Sequence, residues 1–539
     1  MAEIQTINIG SSANDGTGDT IRAGMDKVND NFANFKIEGT NFTGSILIGH
    51  STTGLLSALN PATNNTGVGI AALDALTIGV ENTAVGTGAG SVLTIGNYNV
   101  ALGYSALSKS VDGDNNTAIG YKALEDYEDG DGNGHNTAVG ANSQLNATTG
   151  EFNTSLGSGS MGVGVVTGDG NVSIGYLSGS ALTGGSSNVL VGRQAGNALA
   201  SGSQNVAIGR YALEDENDHG RNIAIGHQAL RDQDAGADAY NVAIGYHAGH
   251  DVTTGVDNVI IGGEAGNSLT TGARNVFIGR RVAENVGSGN DNIAIGDDAM
   301  AGGGGGSANI AIGHEAFLAH ARSASPGEEG DIAIGHEAGK TMAAQGSASK
   351  VVLLGYQAGK VMTRAGANNS TVIGYQAGVA ITSGDSNTII GSNAGDALET
   401  GDNNIIIGHG AAASSTSVDN EITLGDGDIA TIRAQVTSIS SLSDKRDKKD
   451  IEDSVYGLDF VDSLKPVTFE WNQRDGKRLG LKDVGFIAQD LQEVDDDYTR
   501  LVYESNPERL EATYGRLIPI MAKAIQELSA KVKQLESKK

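Results

Sequence analysis

A serine and a lysine stand five residues apart, Ser443 and Lys448, in the highly charged stretch from 443 to 450. A lysine whose pKa is lowered by burial can take the proton of a serine hydroxyl, and the hydroxyl then attacks a neighbouring carbonyl carbon. The pair is therefore a candidate catalytic dyad for peptide cleavage. The spacing alone is a weak indication, because charged stretches that contain Ser and Lys are usually solvated linkers.

A second group of side chains has the pattern of a metal site. Asp129, Asp131 and Asn133 form the Asp-x-Asp-x-Asn-Gly opening of a calcium-binding loop, but the glutamate expected at the twelfth position is absent. A plain polar loop is the preferred interpretation. We expect neither a metal nor an organic cofactor.

The composition limits the framework that must position these residues. The chain has 539 residues with 80 Gly, 5 Pro and no Cys, and 39% of it is hydrophobic. So much Gly without Pro excludes a collagen, and the apolar content is too high for simple disorder. The lack of Cys excludes disulfide scaffolds, thiolate metal sites and thiol catalysis, and it fits assembly in a reducing cytoplasm.

Charge and hydropathy limit the partners. The net charge of −29 argues against nucleic acid, because the chain offers phosphates no sustained basic face. No apolar run approaches the roughly 18 residues of a membrane span. The first residues also lack the basic start and apolar stretch of a signal peptide. We therefore expect no nucleic-acid partner and no membrane insertion.

A short unit recurs twenty times, from Gly69 to Gly408, with a base spacing of 17 residues. It reads Asn, a β-branched residue, any residue, an aliphatic residue and a closing glycine, called here the corner glycine. The alternation predicts a short strand that buries one face. The corner glycine predicts positive φ, and the Asn predicts hydrogen-bonded ladders between successive coils. The fold class is therefore mainly β, a repetitive parallel β-solenoid of 17-residue coils.

Two further rows accompany the repeat. Three residues after the corner glycine stands a small residue, usually Ala, which suggests close packing of three chains around one axis. Directly after the glycine, rings recur, and the position after that is acidic in four coils. A His-Glu row that holds ions is one interpretation, whereas a solvated row or rings stacked between chains is preferred. The ring residues are His50, His227, His314, His336, His409, Tyr104, Tyr121, Tyr176, Tyr246, Tyr356 and Tyr375, and the acidic ones are Glu264, Asp298, Glu315 and Glu337.

The two ends of the chain differ from the repeat. Each carries apolar residues at spacings of 4, 3, 4 and 3, the seam of a coiled coil, and such seams at both ends favour an oligomer over a monomer. For the N-terminal seam, a short trimeric coiled coil is the preferred interpretation, and a single amphipathic helix packed on its own chain is the alternative. We predict an N-terminal segment at 1–36 with a short coiled-coil helix, a shaft at 37–442, and a small α+β domain at 443–539 that ends in a long coiled-coil helix. The seams are Ile21, Met25, Val28, Phe32, Phe35 and Met521, Ile525, Leu528, Val532, Leu535.

The repeat resembles the β-roll heads of trimeric adhesins and the fibre repeats of bacteriophage tails. The stretch from Thr6 to Phe32, with Asn14-Asp-Gly-Thr-Gly-Asp19 and Lys27-Val-Asn-Asp-Asn-Phe32, resembles the N-termini of phage virion and tail-fibre proteins. That resemblance implies attachment to other virion proteins through the N-terminus.

The C-terminal 97 residues carry several blocks in a specific order: Ser443-Asp-x-Arg-x-Lys448, Asp450-Ile451, Gly457-Leu458, 464–471, 484–491 and 514–528. This region resembles the intramolecular chaperone auto-processing domain of phage tailspikes and tail fibres. The resemblance implies a trimeric chaperone that assembles the fibre and then cuts itself off. By position, Ser443 is the nucleophile, Lys448 the general base, and Leu442–Ser443 the scissile bond. Asp444 and Arg446 match the motif and would order the loop.

These observations predict a phage tail fibre or virion appendage, assembled in the host cytoplasm and located on the virion. Its expected partners are two further copies of itself, other tail proteins, and a host surface receptor or glycan. One alternative is a permanently uncleaved trimeric fibre or adhesin. A glycan depolymerase is a weaker alternative, because so uniform a shaft offers no unique cleft for two carboxylates.

Overall fold

The computed structural model describes residues 35–37, 46–48, 62–128, 133–304, 306–319, 330–342, 350–363, 368–429, 431–433, 443–472, 479–504 and 510–538. The N-terminal seam residues Ile21, Met25, Val28 and Phe32 lie outside these ranges, as do His50, Asp129, Asp131 and Leu442. Phe35 lies in a short β-strand that pairs antiparallel with the next strand.

The chain divides into two compact units, 1–337 with 342–345, and 338–341 with 346–539. In the first unit, three-residue strands follow one another in parallel from β2 onward, about one coil apart. These strands are β1 Phe35–Ile37, β2 Ile46–Ile48, β3 Thr66–Val68, β4 Thr83–Val85, β5 Val100–Leu102, β6 Thr117–Ile119, β7 Thr137–Val139, β8 Thr154–Leu156, β9 Val172–Ile174, β10 Val189–Val191, β11 Val206–Ile208, β12 Ile223–Ile225, β13 Val242–Ile244, β14 Val259–Ile261, β15 Val276–Ile278, β16 Ile293–Ile295, β17 Ile310–Ile312 and β18 Ile332–Ile334.

The second unit begins with three-residue strands of the same kind, and a region that contains helices follows them. Its parallel strands are β19 Val352–Leu354, β20 Thr371–Ile373, β21 Thr388–Ile390, β22 Ile405–Ile407 and β23 Ile422–Leu424. The predicted parallel β-solenoid of about 17-residue coils is thus confirmed. Val189 pairs with Val206 and Ala207 with Ala224, one coil apart.

Each strand from β3 to β22 buries its middle residue. Ala207 in β11 is fully buried, whereas Val206 is half-buried and Ile208 is 37% exposed. The β-branched residues on either side therefore point away from the interior of the coil. The sequence did not reveal which face is buried, because the middle position holds residues as different as Ala207, Leu190 and Phe277.

The row of small residues lies inside the coil. Ala212, three residues after Gly209, is fully buried within its own chain, as are Ala195 and Ala229 in the neighbouring coils. The interpretation of this row as a contact between three chains is therefore wrong. A narrow coil has room only for small side chains at this place, where its own walls approach one another.

The corner glycines have the predicted positive φ. At Gly209, φ is +140°, and a Cβ atom there would lie 2.2 Å from the carbonyl oxygen of Gly226 in the next coil. The same corner recurs along both units, at Gly69 with φ +133° and at Gly391 with φ +139°. Only a residue without a side chain allows successive corners to stack this closely.

The predicted asparagine ladder is present and buried. The Nδ2 atom of Asn188 donates to Oδ1 of Asn171 at 3.0 Å and to the carbonyl oxygen of Gly202 at 2.9 Å. Oδ1 of Asn188 accepts from the backbone N–H of Asn205 at 2.9 Å. Asn188 thus links its coil to both neighbours, and both its amide nitrogen and its amide oxygen have partners.

The C-terminal part of the second unit is a small α+β domain. Its elements are β24 Val467–Glu470 paired with β25 Lys482–Gly485, β26 Val502–Tyr503 paired with β27 Glu511–Ala512, and the helices α1 Leu458–Ser463, α2 Ala488–Gln492 and α3 Leu517–Glu536. Leu491, Leu501, Val502, Leu517 and Ile520 form its core. The predicted long terminal helix is confirmed. Among the described residues, no helix is long and apolar enough to cross a membrane.

Candidate active site

The candidate dyad is closed by a single turn of 3-10 helix at Lys445–Asp447. The backbone N–H of Lys448 donates to the carbonyl oxygen of Lys445, which folds the chain back on itself. As a result, the Nζ atom of Lys448 donates a 2.5 Å hydrogen bond to the Oγ atom of Ser443. The structure therefore brings together the two residues that the sequence singles out, at the distance that proton transfer needs.

Asp444 and Arg446 hold this turn together. Oδ1 of Asp444 accepts from the backbone N–H of Arg446 at 2.8 Å, which caps the turn, and the Arg446 guanidinium donates back to Oδ2 at 2.6 Å. The hydrogen bonds from Arg446 hold the pKa of the Asp444 carboxyl below its usual value. This geometry fits the loop-ordering role that the sequence suggests for both residues.

Both members of the dyad are exposed to solvent. The burial that would make a lysine amine a base at neutral pH is therefore not supplied by the described residues of one chain. The carbonyl of Leu442, on the other side of the candidate scissile bond, lies outside the described residues.

The rest of the domain is connected by contacts between the sequence blocks that carry the resemblance. Oε2 of Glu527 in α3 accepts from the backbone N–H of Leu458 at the start of α1, at 2.7 Å. The hydroxyl oxygen of Tyr514 accepts from the backbone N–H of Phe486 at 3.1 Å. A Cβ atom at Gly485 would lie 2.6 Å from that hydroxyl, which explains the glycine.

Two more polar contacts fix the loop between α2 and β26. Oδ1 of Asp495 accepts from the backbone N–H of Leu501 at 2.7 Å. The hydroxyl of Tyr456 donates to Oδ2 of Asp496, and this bond raises the pKa of Tyr456 to about 12. The same bond is the main cause that lowers the pKa of Asp496.

Helix α3 has two different faces. Leu517, Ile520 and Ala524 are buried against the domain. The predicted coiled-coil residues, called here the α3 seam, are all exposed: Met521 44%, Ile525 67%, Leu528 50%, Val532 44% and Leu535 66%. An apolar stripe of this spacing on an exposed helix is typical of a coiled-coil partner surface.

The ring residues after the corner glycines stack along the chain. The ring centroids of His314 and His336 lie 5.1 Å apart, and those of Tyr104 and Tyr121 lie 5.4 Å apart, with nearly parallel planes. The row is thus a stack between coils of one chain, whereas the sequence suggested either a solvated row or stacking between chains. Of the candidate calcium loop, only Asn133 is described, and its carbonyl oxygen accepts from the Tyr127 hydroxyl at 2.7 Å.

Elsewhere in the shaft, two groups bring carboxylates and an imidazole close together: Glu216, His219 and Asp234, and Asp232, His250 and Asp251. In the second group, His250 already contacts both Asp251, at 2.5 Å, and Arg231, at 3.3 Å. In the first group, burial raises the pKa of Glu216 to about 6, while the backbone N–H of His219 acts in the opposite direction. This group was not predicted from the sequence, although Glu216 and His219 each break a row of the repeat.

Comparison with known protein families finds a match in the C-terminal part of the chain. Residues 443–502 match the peptidase S74 family model, described as the chaperone of endosialidase. Comparisons with curated proteins and with solved structures find no match. The predicted resemblance is confirmed to this extent: a chaperone-of-endosialidase domain follows a β-solenoid, an arrangement consistent with a protein of the phage tail-fibre or tailspike type.

Proposed function

From the premise that residues 443–502 form a chaperone-of-endosialidase domain, we propose that this chain is the subunit of a homotrimeric phage fibre whose C-terminal domain directs assembly and then releases itself. The observation that carries the proposal is the 2.5 Å contact between Lys448 Nζ and Ser443 Oγ, at the first residue of the matched region. Cleavage there would leave the shaft behind.

The α3 seam supports the trimer. Its residues repeat every 3.5 positions, they are exposed on a helix of 20 residues, and the opposite face of α3 already packs on its own domain. Two further copies of α3 would cover the seam by knobs-into-holes packing. Such a bundle would also align three chains at one end of their shafts.

The shaft supports association in a second way. The β-branched residues beside each buried strand centre form an outward apolar face, with Ile223 36% exposed, Ile244 37% and Ile278 36%. Because the coils are similar, three chains could associate with one of them shifted by a whole coil at little cost in free energy. A terminal domain that sets the register would prevent such a shift. Its later removal would leave the fibre kinetically trapped.

The proposed cleavage uses only residues of the turn and water. Neutral Lys448 takes the proton of Ser443 Oγ, and the oxygen forms a bond to the carbonyl carbon of Leu442. The bond between that carbon and the Ser443 nitrogen breaks as Lys448 returns the proton to the leaving amine. Water then hydrolyses the resulting ester, which yields the Leu442 carboxylate and a chain that begins at Ser443.

The exposure of the dyad in a single chain has a consequence for this scheme. We propose that neighbouring copies bury the turn when the trimer forms, so that cleavage follows assembly. The same exposure favours the alternative function, a permanently uncleaved trimeric fibre or adhesin. The two functions differ in the mass of the mature chain.

Mass spectrometry of the purified full-length protein tests the proposal. We expect fragments 1–442 and 443–539 from the wild type, and an intact chain from Ser443→Ala. Lys448→Arg keeps the charge and a donor but cannot act as a base, so it should also stay intact. Lys449→Arg, the same change one residue along, should be cleaved. An intact wild-type trimer would overturn autoproteolysis and leave the uncleaved fibre.

Light scattering tests the assembly separately. A Ser443→Ala protein should have three times the mass of its 54.8 kDa chain. The double variant Ile525→Asp, Leu528→Asp should have a lower mass. Lys531→Asp, which changes a residue outside the α3 seam, should keep the mass of the trimer. A monomer at all concentrations would overturn the trimer.

We further propose that the fibre is assembled in the host cytoplasm and belongs to the virion, where the N-terminal segment attaches it to other tail proteins. The shaft would then present its side loops to a host surface receptor or glycan. Immunogold labelling of phage particles with an antibody to the shaft would test the location, and unlabelled particles would contradict it.

A further inference from the structure

One coil of the shaft departs from the repeat at two places that lie close together. Seven residues after the corner glycine Gly209 stands Glu216, where the two preceding coils have the buried Leu182 and Leu199. Ten residues after it stands His219, where those coils have Gly185 and Gly202. Both departures replace a residue that suits the coil with one that can bind a ligand.

Glu216 is fully buried but only partly paired. Its Oε1 atom accepts a 3.1 Å hydrogen bond from the backbone N–H of His219, and the Nδ1 atom of His219 lies 3.4 Å from the same oxygen. Among the residues that the structure describes, Oε2 of Glu216 and Nδ1 of His219 have no hydrogen-bond partner. A buried carboxylate in this condition is costly unless something compensates for its charge.

A third side chain comes from the next coil. The carboxylate of Asp234 is exposed. Asp234, Glu216 and His219 each offer one ligand atom, and these three atoms lie within 4.8 Å of one another. The nearby Arg231 is already engaged with Glu214 at 3.3 Å and Asp232 at 3.5 Å. The group thus combines two carboxylates and an imidazole, and it is open to solvent on the Asp234 side.

We propose that Glu216, His219 and Asp234 bind one divalent cation of the first transition row, such as Zn²⁺. Imidazole nitrogen with carboxylate oxygen is the ligand set of such ions, whereas Ca²⁺ and Mg²⁺ select oxygen alone. Water from the Asp234 side completes the coordination. The ion links two successive coils, because Glu216 and His219 belong to one coil and Asp234 to the next.

The repeat itself supplies the test variants. His219→Gly and Glu216→Leu place in this coil the residues that neighbouring coils carry, so both variants keep a foldable repeat. Equilibrium dialysis of the tag-free full chain against Zn²⁺ should show one tight site per chain in the wild type. Each variant should lower the affinity at least about tenfold. His314→Ala, which removes an exposed histidine from the stacked row, should not change the tight site.

A thermal-shift series separates binding from a packing effect. Zn²⁺ should raise the melting temperature of the wild type but not that of His219→Gly or Glu216→Leu, and Glu216→Leu without metal should be at least as stable as the wild type without metal. Wild-type zinc binding no tighter than that of His219→Gly would overturn the proposal. Loss of the tight site in His314→Ala would also overturn it.

Discussion

The carboxylate of Glu527, in α3, accepts a 2.7 Å hydrogen bond from the backbone N–H of Leu458, the first residue of α1. The N-cap residue of α1 is Gly457, which has no side chain for this purpose. Glu527→Ala should therefore destabilise α1 by about 1 kcal/mol. Hydrogen exchange of peptides covering α1 should become about fivefold faster. Glu536→Ala, at the last residue of α3, is the control, and equal exchange in both variants would contradict the cap.

Two adjacent glycines of one corner should differ strongly in how much a substitution by alanine destabilises the shaft. Gly262 has φ +136°, and a Cβ atom there would meet the Gly279 carbonyl oxygen at 2.1 Å, whereas a Cβ atom at Gly263 meets nothing within 4 Å. Gly262→Ala should destabilise the shaft by about 1–3 kcal/mol or more. Gly263→Ala should change its stability by less than about 0.5 kcal/mol. Thermal unfolding of both variants checks this, and similar midpoints would count against the corner geometry.

The asparagine ladder should tolerate serine better than alanine. Asn188→Ala leaves the buried N–H of Asn205 without its acceptor, a loss of about 1–3 kcal/mol. Asn188→Ser should cost less, because Ser370 naturally occupies the ladder and its Oγ accepts from the N–H of Asn387 at 3.1 Å. Urea unfolding of the two variants gives the comparison. If alanine and serine were equivalent, the side-chain acceptor would not be what stabilises the ladder.

Stability of the C-terminal domain should fall at high pH through Tyr456. The hydrogen bond to Asp496 raises the pKa of Tyr456 from 10.0 to about 12. A group whose folded pKa is raised contributes its full stabilisation below its unfolded pKa and loses it as the pH rises towards the folded value. The wild-type domain should therefore lose stability between about pH 10 and pH 12, and Tyr456→Phe should lack this loss. Tyr498→Phe is the control, and an unchanged profile in Tyr456→Phe would refute the assignment.

The parts of the fold that could be predicted from the sequence are those where the backbone conformation or a hydrogen bond requires one particular residue type. Gly209 is needed for its positive φ and close stacking, and Asn188 for its three hydrogen bonds. The buried face of the strand could not be predicted in this way. Period-two alternation is the same for either face, and the choice depends on the width of the closed coil, which only the three-dimensional path of the chain determines.

The candidate dyad shows the same limit. The spacing of Ser443 and Lys448 suggested their contact, and Asp444 and Arg446 suggested the ordered turn between them. Their exposure could not be predicted, since it depends on what packs around the turn. The group formed by Glu216 and His219 was overlooked, although each is visible as a break in a row of the repeat.

The pairing of successive strands does not depend on the number of residues in the coil between them. The strands β17 and β18 lie 22 residues apart, yet Ile310 pairs with Ile332 as neatly as Val189 pairs with Val206, and the N–H of Ile310 still donates to the Asp331 carbonyl oxygen at 2.8 Å. The residues beyond the usual 17 therefore lie in the chain between the two strands, and they do not disturb the pairing of the strands. We therefore expect the shaft to accept foreign peptide segments between such strands, which would make it a scaffold for the ordered display of grafted epitopes.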